Sequence, residues 1–179
     1  PREFTQIARN RTRDVVIGGQ NQVFAPIYGA PFVRDLQQGR RYGDLDSLEK
    51  LIKLTYMHPN LHHGGLVICE PCSDKPHLGA ITEHSRAQDS VDMAEIVFGR
   101  EVMDQQCVIM GNVNTNSPLL VDKVVTQAIE TYCSRGQGIV VVPFILSGAM
   151  GPVSTAASVT QAMAEALMCC AFSQLIRPG

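Results

Sequence analysis

The sequence predicts an α/β fold with a mainly parallel sheet. The run at residues 138–142 is apolar, rich in valine and too short for a helix, as in a strand that is buried on both faces. The segment after it contains Gly148 and Pro152 and leads through Ser154 into a long apolar-periodic stretch, which predicts a loop and then a capped helix. Successive predicted strands lie about thirty residues apart, the length of a βαβ unit.

Composition places the chain among ordinary soluble globular proteins. It has 179 residues, of which 45% are hydrophobic and 18% charged, with a formal net charge of -2. No basic patch of the kind that binds nucleic acid is present, so we expect no nucleic-acid partner. No apolar run has the length of a membrane span and the start shows no signal-peptide pattern, so we expect no membrane partner either. The six cysteines lie mostly in apolar segments, which is typical of a protein of the reducing cytoplasm.

We expect residues 1–43 to stand apart from the βα units of residues 44–179. Two β-prone runs, at 14–17 and 22–26, flank a pair of glycines and an asparagine, and this pattern predicts a hairpin. Residues 28–41 combine glycine, proline and mixed charge, which predicts an extended loop.

The βα units begin with a helix that we expect to open at Asp46. Asp46 and Glu49 have the spacing of a capping box, and the helical pattern stops before Pro59. A buried strand is predicted at residues 65–70, with Glu70 at its carboxyl end. At that position the Glu70 carboxylate is either a salt-bridge partner or a site residue.

From residue 78 onward the pattern is regular. Ser85 is expected to cap one helix, and Ser117 to cap the next with Pro118 at its first helical position. The other predicted elements are strands at 78–82, 107–112 and 138–142 and a helix at 155–176. Four predicted strands are too few to close a barrel of eight, so the alternatives are a doubly wound sheet and an incomplete barrel. The absence of an initiating Met and the abrupt end favour the incomplete barrel.

The last predicted helix is apolar on several sides. Its apolar residues include Met163, Leu167, Cys170 and Leu175. Because an incomplete barrel lacks the strands that would cover this helix, we expect it to expose a large apolar surface.

Two short motifs suggest ligands without defining a site. Cys69 and Cys72 match CxxC, but no second ligand pair accompanies them, so strand-end packing is the alternative to a metal or redox site, and we expect no metal. Residues 60–65 differ by one position from the DxHxxG pattern through which some proteins supply a histidine to a corrinoid cobalt. Asn60 replaces its carboxylate, and a turn with two partly exposed histidines is the alternative.

Several longer motifs, spread over essentially the whole chain, indicate a family. They are Phe32-Val-Arg-Asp with Gly39-Arg-Arg-Tyr-Gly, Tyr56-Met-His-Pro-Asn-Leu-His-His-Gly-Gly, Cys69-Glu-Pro, Gly111-Asn-Val-Asn-Thr-Asn-Ser-Pro118, and Pro143-Phe-Ile-Leu-Ser-Gly-Ala-Met-Gly-Pro. Together they resemble the trimethylamine methyltransferase family. The resemblance implies a TIM (β/α)8 barrel, of which this chain holds part. It also implies that the protein transfers a methyl group from trimethylamine or a betaine-like quaternary amine to the cob(I)alamin of a separate corrinoid protein. No cofactor would then bind to this chain directly, and we expect a homo-oligomer. Some members carry pyrrolysine in a C-terminal part, which this chain does not include.

The implied chemistry selects four residues as candidates for substrate binding. Methyl transfer to cobalt(I) requires the methyl carbon in line between the nitrogen and the metal, in a cavity that excludes water, and it needs no proton-shuttling triad. A quaternary ammonium has no N–H group, so its charge must be held by a carboxylate, an aromatic face or amide oxygens. The candidates at the carboxyl ends of predicted strands are Glu70, Asn112, Asn114 and Phe144. For the asparagines, satisfying loop backbone groups is the alternative.

Ser147 and Gly148 are the candidates for the surface that faces the corrin. A small residue there lets a flat macrocycle approach the backbone, although a plain helix-entry loop is equally consistent with the sequence. Two other functions remain open. One is a TIM-barrel enzyme acting on a small phosphorylated substrate, against which the absence of a glycine-rich phosphate cradle counts. The other is a non-catalytic homologue that senses methylated amines.

The join between Cys72 and Ser73 is the irregular point of the chain. Parallel neighbours at 65–70 and 78–82 need a crossover of about a dozen residues or more, and only residues 71–77 connect them. Members of the family carry an intervening segment at this join. We therefore expect residues to be missing there, with a Cα–Cα distance between Cys72 and Ser73 well above the ~3.8 Å of bonded neighbours.

Overall fold

The computed structural model describes the second half of the chain continuously and the first half in parts. The described residues are 4–7, 14–17, 24–28, 32–37, 39–55, 57, 61–64, 77–79 and 81–179. The strands in chain order are β1 (Phe4–Ile7), β2 (Asp14–Ile17), β3 (Phe24–Tyr28), β4 (Phe32–Asp35), β5 (Gly39–Tyr42), β6 (Leu61–Gly64), β7 (His77–Gly79), β8 (Ile109–Asn116) and β9 (Gly138–Phe144). The helices are α1 (Leu45–Thr55), α2 (His84–Phe98), α3 (Arg100–Gln105), α4 (Lys123–Ser134) and α5 (Thr155–Ile176).

A five-stranded sheet with the order β3-β6-β7-β8-β9 forms the body of the molecule. Every neighbouring pair in it is parallel. The predicted α/β class with a parallel sheet is therefore confirmed. The residues that the structure describes do not form a closed barrel.

Helices α2, α4 and α5 lie side by side over one face of β7, β8 and β9. Helix α4 contacts both α2 and α5 as well as the strands beneath it. Its buried residues Val125, Ala128, Ile129 and Tyr132 recur at the spacing of one helical face, which explains why this polar-flanked segment packs as an amphipathic helix. The core consists of two apolar clusters between these helices and the strands.

The predicted N-terminal hairpin is wrong. Strand β2 pairs antiparallel with β1, while β3 adds to the main sheet parallel to β6. The residues at 14–17 favour a strand but do not specify its partner. Tertiary contacts, and not the adjacent glycines, therefore determined that β2 pairs with β1. As a result β3 shares a sheet with strands from residues 44–179, across the division that the sequence suggested at residue 43.

The predicted extended loop at residues 28–41 is also wrong. Strands β4 and β5 form an antiparallel hairpin, and Gly39, the first residue of β5, has a φ of +72°. The rings of Phe32 and Tyr42 have centroids 4.7 Å apart, and the guanidinium carbon of Arg40 lies 4.0 Å from the centroid of the Phe32 ring. Cross-strand aromatic contact stabilises this hairpin where the glycines and proline suggested irregular chain.

The start of α1 differs from the predicted capping box. Asp44, just before the helix, accepts hydrogen bonds from the Ser47 amide (2.8 Å) and hydroxyl (2.6 Å). These bonds from Ser47, first the hydroxyl and then the amide, lower the pKa of Asp44 to about 2. Asp46 and Glu49 lie inside the helix and instead pair with lysines four residues later. A cap must precede the first helical residue, so Asp46 stands too late in the chain to act as one.

Other predicted boundaries move by a few residues. Helix α2 begins after Glu83 without a side-chain cap, so Ser85 is not its cap, and α4 begins after Asp122, so Ser117 and Pro118 lie outside it. Strand β8 continues past the predicted end at residue 112, because it pairs with β9 along its whole carboxyl half. Strand β7 ends at Gly79, earlier than the predicted 78–82.

Residues 61–64 form β6 and not the predicted turn. Its parallel pairing with β7 leaves residues 65–76 for the crossover, which is about the minimum length for a parallel connection. The predicted strand at 65–70, the CxxC motif, and both Cys72 and Ser73 lie outside the described residues. A segment missing at that join stays a prediction.

Helix α5 agrees with its prediction in both extent and cap. It spans Thr155–Ile176, and Ser154 Oγ accepts a hydrogen bond from the Ala157 amide at 3.3 Å. The predicted apolar surface is confirmed, because Met163, Leu167, Cys170 and Leu175 are all exposed. Of the described helices, α5 alone has a length and composition that would suit a membrane span, so the statement that no stretch is long enough was wrong.

Candidate active site

Strand β8 divides its side chains between two faces of the sheet. Val113 and Thr115 are fully buried; Val113 belongs to the cluster beneath α4 and α5, and the Thr115 hydroxyl bonds to α5. Because side chains alternate along a strand, Asn112, Asn114 and Asn116 lie on the opposite face. Asn112 is buried at the centre of the sheet, whereas Asn114 and Asn116 are exposed towards the carboxyl end.

The register of β9 brings Phe144 to this asparagine face. Asn114 is the Cα partner of Val142, and Asn116 that of Phe144. Paired residues of a parallel ladder point to the same side of the sheet, so Phe144, which is 59% exposed, shares a face with Asn112 and Asn114. The structure thus brings three of the four predicted substrate-binding residues to one face of two adjacent strands. Glu70 lies outside the described residues.

The three asparagines differ in what their side chains do. The Nδ2 of Asn116 donates to the carboxylate of Asp122, the residue before α4, and the backbone of Asn116 exchanges two hydrogen bonds with Leu120. Asn116 therefore secures the loop after β8, through a side-chain carboxylate and not through the backbone groups that the structural alternative proposed. The Asn114 amide is exposed and makes no hydrogen bond to a residue that the structure describes, so it is the asparagine available for a ligand.

Behind this edge, on the helix side, lies a buried carboxylate that the sequence predictions missed. Glu165 of α5 is 1% exposed. Its Oε2 accepts from Thr115 Oγ1 (2.5 Å) and Ser117 Oγ (2.7 Å), and its Oε1 accepts from the Leu119 amide (2.9 Å) and Gln161 Nε2 (3.1 Å). The sequence carried a signal for it, because Glu165 is the one charged residue in the predicted helix at 155–176.

The environment of Glu165 keeps its carboxylate ionised. Burial by itself raises the pKa of this group, but hydrogen bonds from Thr115, the Leu119 amide, Ser117 and Gln161 together outweigh burial and lower the pKa to about 2. Within the part of the chain that the structure describes, Glu165 forms no salt bridge. The charge is therefore held by oriented dipoles, and it ties the loop after β8 to α5.

Ser147 and Gly148 lie in the loop after β9, as predicted, and both are exposed. Gly148 has a φ of +81°, and its amide donates to the Gly151 and Pro152 carbonyls at 3.0 and 3.2 Å. An added Cβ would meet only Val153 Cγ2, at 3.8 Å, so the backbone conformation and not a close internal contact requires glycine here. Ser147 Oγ lies 2.9 Å from Ser158 Oγ of α5.

A cavity of about 570 Å³ lies at the opposite, amino-terminal ends of the strands. Its lining includes Cys107, Cys133, Gln137, Cys170 and Arg177. Burial raises the pKa of both the Cys107 and the Cys133 thiol to about 11, so neither is a nucleophile at neutral pH. The side chain of Gln137 is committed to backbone groups on both sides, accepting from the Val108 amide (2.9 Å) and donating to the Met103 carbonyl (3.0 Å). Gln137 thus ties α3 to the chain just before β8.

The described residues contain no cluster of three or more His, Cys, Asp or Glu side chains that would hold a metal ion. The possible CxxC site at Cys69 and Cys72 lies outside them. The candidate site thus consists of an exposed amide and an aromatic ring on one sheet face, with a hydrogen-bond network centred on Glu165 on the opposite face.

Comparison with known proteins supplies the family. The family model described as Trimethylamine methyltransferase (MTTB) matches residues 1–179, the whole chain. The chain belongs to the trimethylamine methyltransferase family. The resemblance of the five motif regions is thereby confirmed.

The chain is also similar to a curated protein, the glycine betaine methyltransferase of Desulfitobacterium hafniense (strain Y51). It is 34% identical over 198 residues, an alignment that covers all of this chain and 41% of the relative. The chain thus spans less than half the length of that methyltransferase. The aligned region is longer than this chain, so the relative carries residues within it that this chain lacks.

Proposed function

We propose that the protein transfers a methyl group from a methylated amine, either trimethylamine or a betaine-like quaternary amine, to the cob(I)alamin of a corrinoid protein. The observation that carries the proposal is the register of β8 and β9, which sets Asn114 and Phe144 on one face at the carboxyl ends of two parallel strands. Membership of the trimethylamine methyltransferase family supports this reaction, and the carboxyl edge of a parallel sheet is where a TIM-barrel enzyme would carry it out.

The strand order supports a TIM barrel as the complete fold. The parallel strands β3-β6-β7-β8-β9 follow one another in chain order, whereas a doubly wound sheet reverses its order at a switch point. The three described helices that contact β7, β8 and β9 are neighbours on one face. In a barrel that face is the outside, so the asparagine face would line the interior and open at the end where TIM-barrel enzymes react.

The exposed groups suit a methylated cation. The Phe144 ring offers a π-face, which attracts a quaternary ammonium, and the Asn114 amide offers an oxygen without requiring an N–H group from the substrate. Glu70, in the connection that follows β6, would add a full negative charge. Together these groups would orient the amine so that one methyl carbon faces the acceptor, in a site closed to water.

We assign Ser147 and Gly148 to the side that the corrinoid protein approaches. Both are exposed on the loop after β9, next to Phe144, and neither carries a bulky side chain. The partner's cobalt supplies the nucleophile that accepts the methyl group, so this chain needs to bind and orient the amine and to admit a flat macrocycle. We further propose a cytoplasmic homo-oligomer; the free cysteines among the described residues and the apolar residues exposed on α5 support it.

Calorimetric titration of the full-length protein with trimethylamine and with glycine betaine tests the proposal, followed by assay of methyl transfer to cob(I)alamin. Binding of one amine with transfer of its methyl group is the expected result. Binding without transfer would instead support a non-catalytic sensor of methylated amines. Failure to bind either amine would contradict both of these functions.

A further inference from the structure

We propose that Glu165, acting together with Gln161, is a positioning residue that fixes the loops after β8 and β9 relative to each other and so sets the geometry of the amine site. This inference rests on the proposed function, because it assumes that the site lies at the carboxyl ends of these strands. Glu165 itself does not reach the substrate: it is buried, and both carboxylate oxygens are occupied by donors from this chain.

Along the end of β8 and the loop after it, residues that contact Glu165 alternate with residues on the face of the proposed site. It accepts from Thr115 and Ser117, which flank Asn116 and follow Asn114. It also accepts from the Leu119 amide, whose residue has a φ of +55°, a conformation that is costly for leucine and persists only where the surroundings hold it. The carboxylate thus anchors the end of β8 at one point, Thr115, and the loop after it at two, Ser117 and Leu119.

Gln161, one helical turn earlier, extends the network to the loop after β9. Its Nε2 donates to Glu165 Oε1 at 3.1 Å and to the Met150 carbonyl at 3.4 Å. Met150 belongs to the same turn as Ser147 and Gly148, the residues assigned to the corrin side. One stretch of α5 therefore connects the loop beside Asn114 with the loop beside Phe144.

The choice of a carboxylate follows from the donors around it. The Leu119 N–H and the Gln161 NH2 group are donors, and the hydroxyls of Thr115 and Ser117 can donate as well as accept. An ionised carboxylate, which only accepts, therefore matches all four groups. Glutamine at position 165 keeps the shape and an acceptor for Leu119, and the hydroxyls can turn to accept from its amide. Alanine removes every anchor. Glu165→Gln and Glu165→Ala therefore weaken the same anchoring contacts, the first in part and the second completely.

The test uses the full-length protein and compares Glu165→Ala, Glu165→Gln and Gln161→Ala with Gln137→Ala. Gln137 is a matched control because it is also a buried polar side chain that ties backbone segments together, but at the amino-terminal end of the same strands. KM and kcat for the methylated amine and the melting temperature are measured for each variant. Misplacing a site by about 1 Å can cost on the order of 100-fold, so we expect Glu165→Ala to lower kcat/KM by about 10- to 100-fold. Part of this loss should appear as a raised KM, because displaced Asn114 and Phe144 side chains would hold the amine less well.

The graded outcome is what distinguishes positioning from general stability. We expect Glu165→Gln to recover part of the loss, Gln161→Ala to raise KM by several-fold with little change in melting temperature, and Gln137→Ala to lower the melting temperature with KM unchanged. Equal KM effects in Gln137→Ala and the Glu165 variants would overturn the inference. If Glu165→Ala does not fold, Gln161→Ala decides alone, and an unchanged KM overturns it. A wild-type protein that neither binds nor demethylates an amine would count against the proposed function and not against these contacts.

Discussion

The ring of Tyr132 rests directly on the backbone of Gly111. A Cβ added to Gly111 would lie 2.6 Å from Cδ2 and 2.7 Å from Cε2 of that ring, and one added to Gly79 on the next strand would collide with the Tyr132 hydroxyl. Tyr132 is fully buried, so it cannot swing aside into solvent. Helix α4 thus packs closely against two glycines on adjacent strands, and a side chain at either position would displace the helix from the sheet.

We predict that Gly111→Ala and Gly79→Ala each destabilise the full-length protein by about 1–3 kcal/mol or more through overpacking. Combining each glycine substitution with Tyr132→Phe separates the contact of Tyr132 with position 79 from its contact with position 111. Tyr132→Phe removes the atom nearest to a Cβ at position 79 but leaves the ring edge over position 111.

Urea unfolding of the single and double variants measures this. Tyr132→Phe should offset part of the cost of Gly79→Ala, with the remainder due to Ile109 Cδ1 at 2.8 Å, and should not offset that of Gly111→Ala. Equal rescue of both glycine variants would contradict the packing described.

Ser154 and Ser85 provide a matched pair for the capping of helices. Ser154 Oγ accepts from the Ala157 amide at the start of α5, whereas α2 begins after Glu83 without a side-chain cap. Ser154→Ala should therefore cost about 0.5–2 kcal/mol in the free energy of unfolding, and Ser85→Ala much less. Chemical denaturation of both variants checks the difference, and equal effects would show that the bond to Ala157 contributes little.

The ionisation of Glu165 predicts a dependence of stability on pH. Its pKa falls from an ordinary 4.5 to about 2 in the folded protein, so the fold favours the charged form. The stability from this group is fully present above the unfolded pKa of about 4.5 and is lost as the pH falls towards 2.

The substitution Glu165→Gln removes the titrating group and isolates its contribution. The difference in free energy of unfolding between wild type and Glu165→Gln should be constant above about pH 5 and should shrink steadily below it. Denaturation curves at several pH values between 3 and 7 measure this. A difference that stays constant across that range would mean that the carboxylate is not preferentially ionised in the fold.

Phe144 offers a direct test of amine binding. If its ring holds the methylated cation, Phe144→Leu should weaken binding of the amine by roughly 2- to 30-fold, corresponding to the ~0.5–2 kcal/mol of a cation–π contact. Phe172→Leu is the control, since Phe172 packs on the helix side of the sheet against the cluster that contains Val113 and Cys169. Calorimetric titration of both variants is decisive, and a Phe144→Leu variant with wild-type affinity would remove the ring from the proposed site.

Local sequence by itself determined the last strand and the last helix of the described fold. The valine-rich run at 138–142 and the apolar stretch after Ser154 became β9 and α5 with the predicted cap, because a short apolar run and a capped helix are recorded in the residues themselves. The prediction that this strand is buried on both faces is wrong, since every residue of β9 is at least partly exposed at the edge of the described sheet. Local patterns also predicted that Asn114 and Phe144 lie near the carboxyl ends of neighbouring strands, and the motifs that contain them identified the family correctly. Asn112, which was predicted at a strand end, lies within β8.

Only the tertiary structure decided which strands pair with each other and which buried polar residue holds the loops at the proposed site. Strand β3 pairs with β6 in the parallel sheet and not in the expected hairpin, and β8 extends through its asparagines to residue 116. Both outcomes depend on pairing with strands that are distant in sequence. Glu165 lies 48 residues from Ser117 along the chain, so no local pattern can show that its carboxylate meets that hydroxyl. The sequence specified the residue types of the site face, and long-range packing determined how they are held.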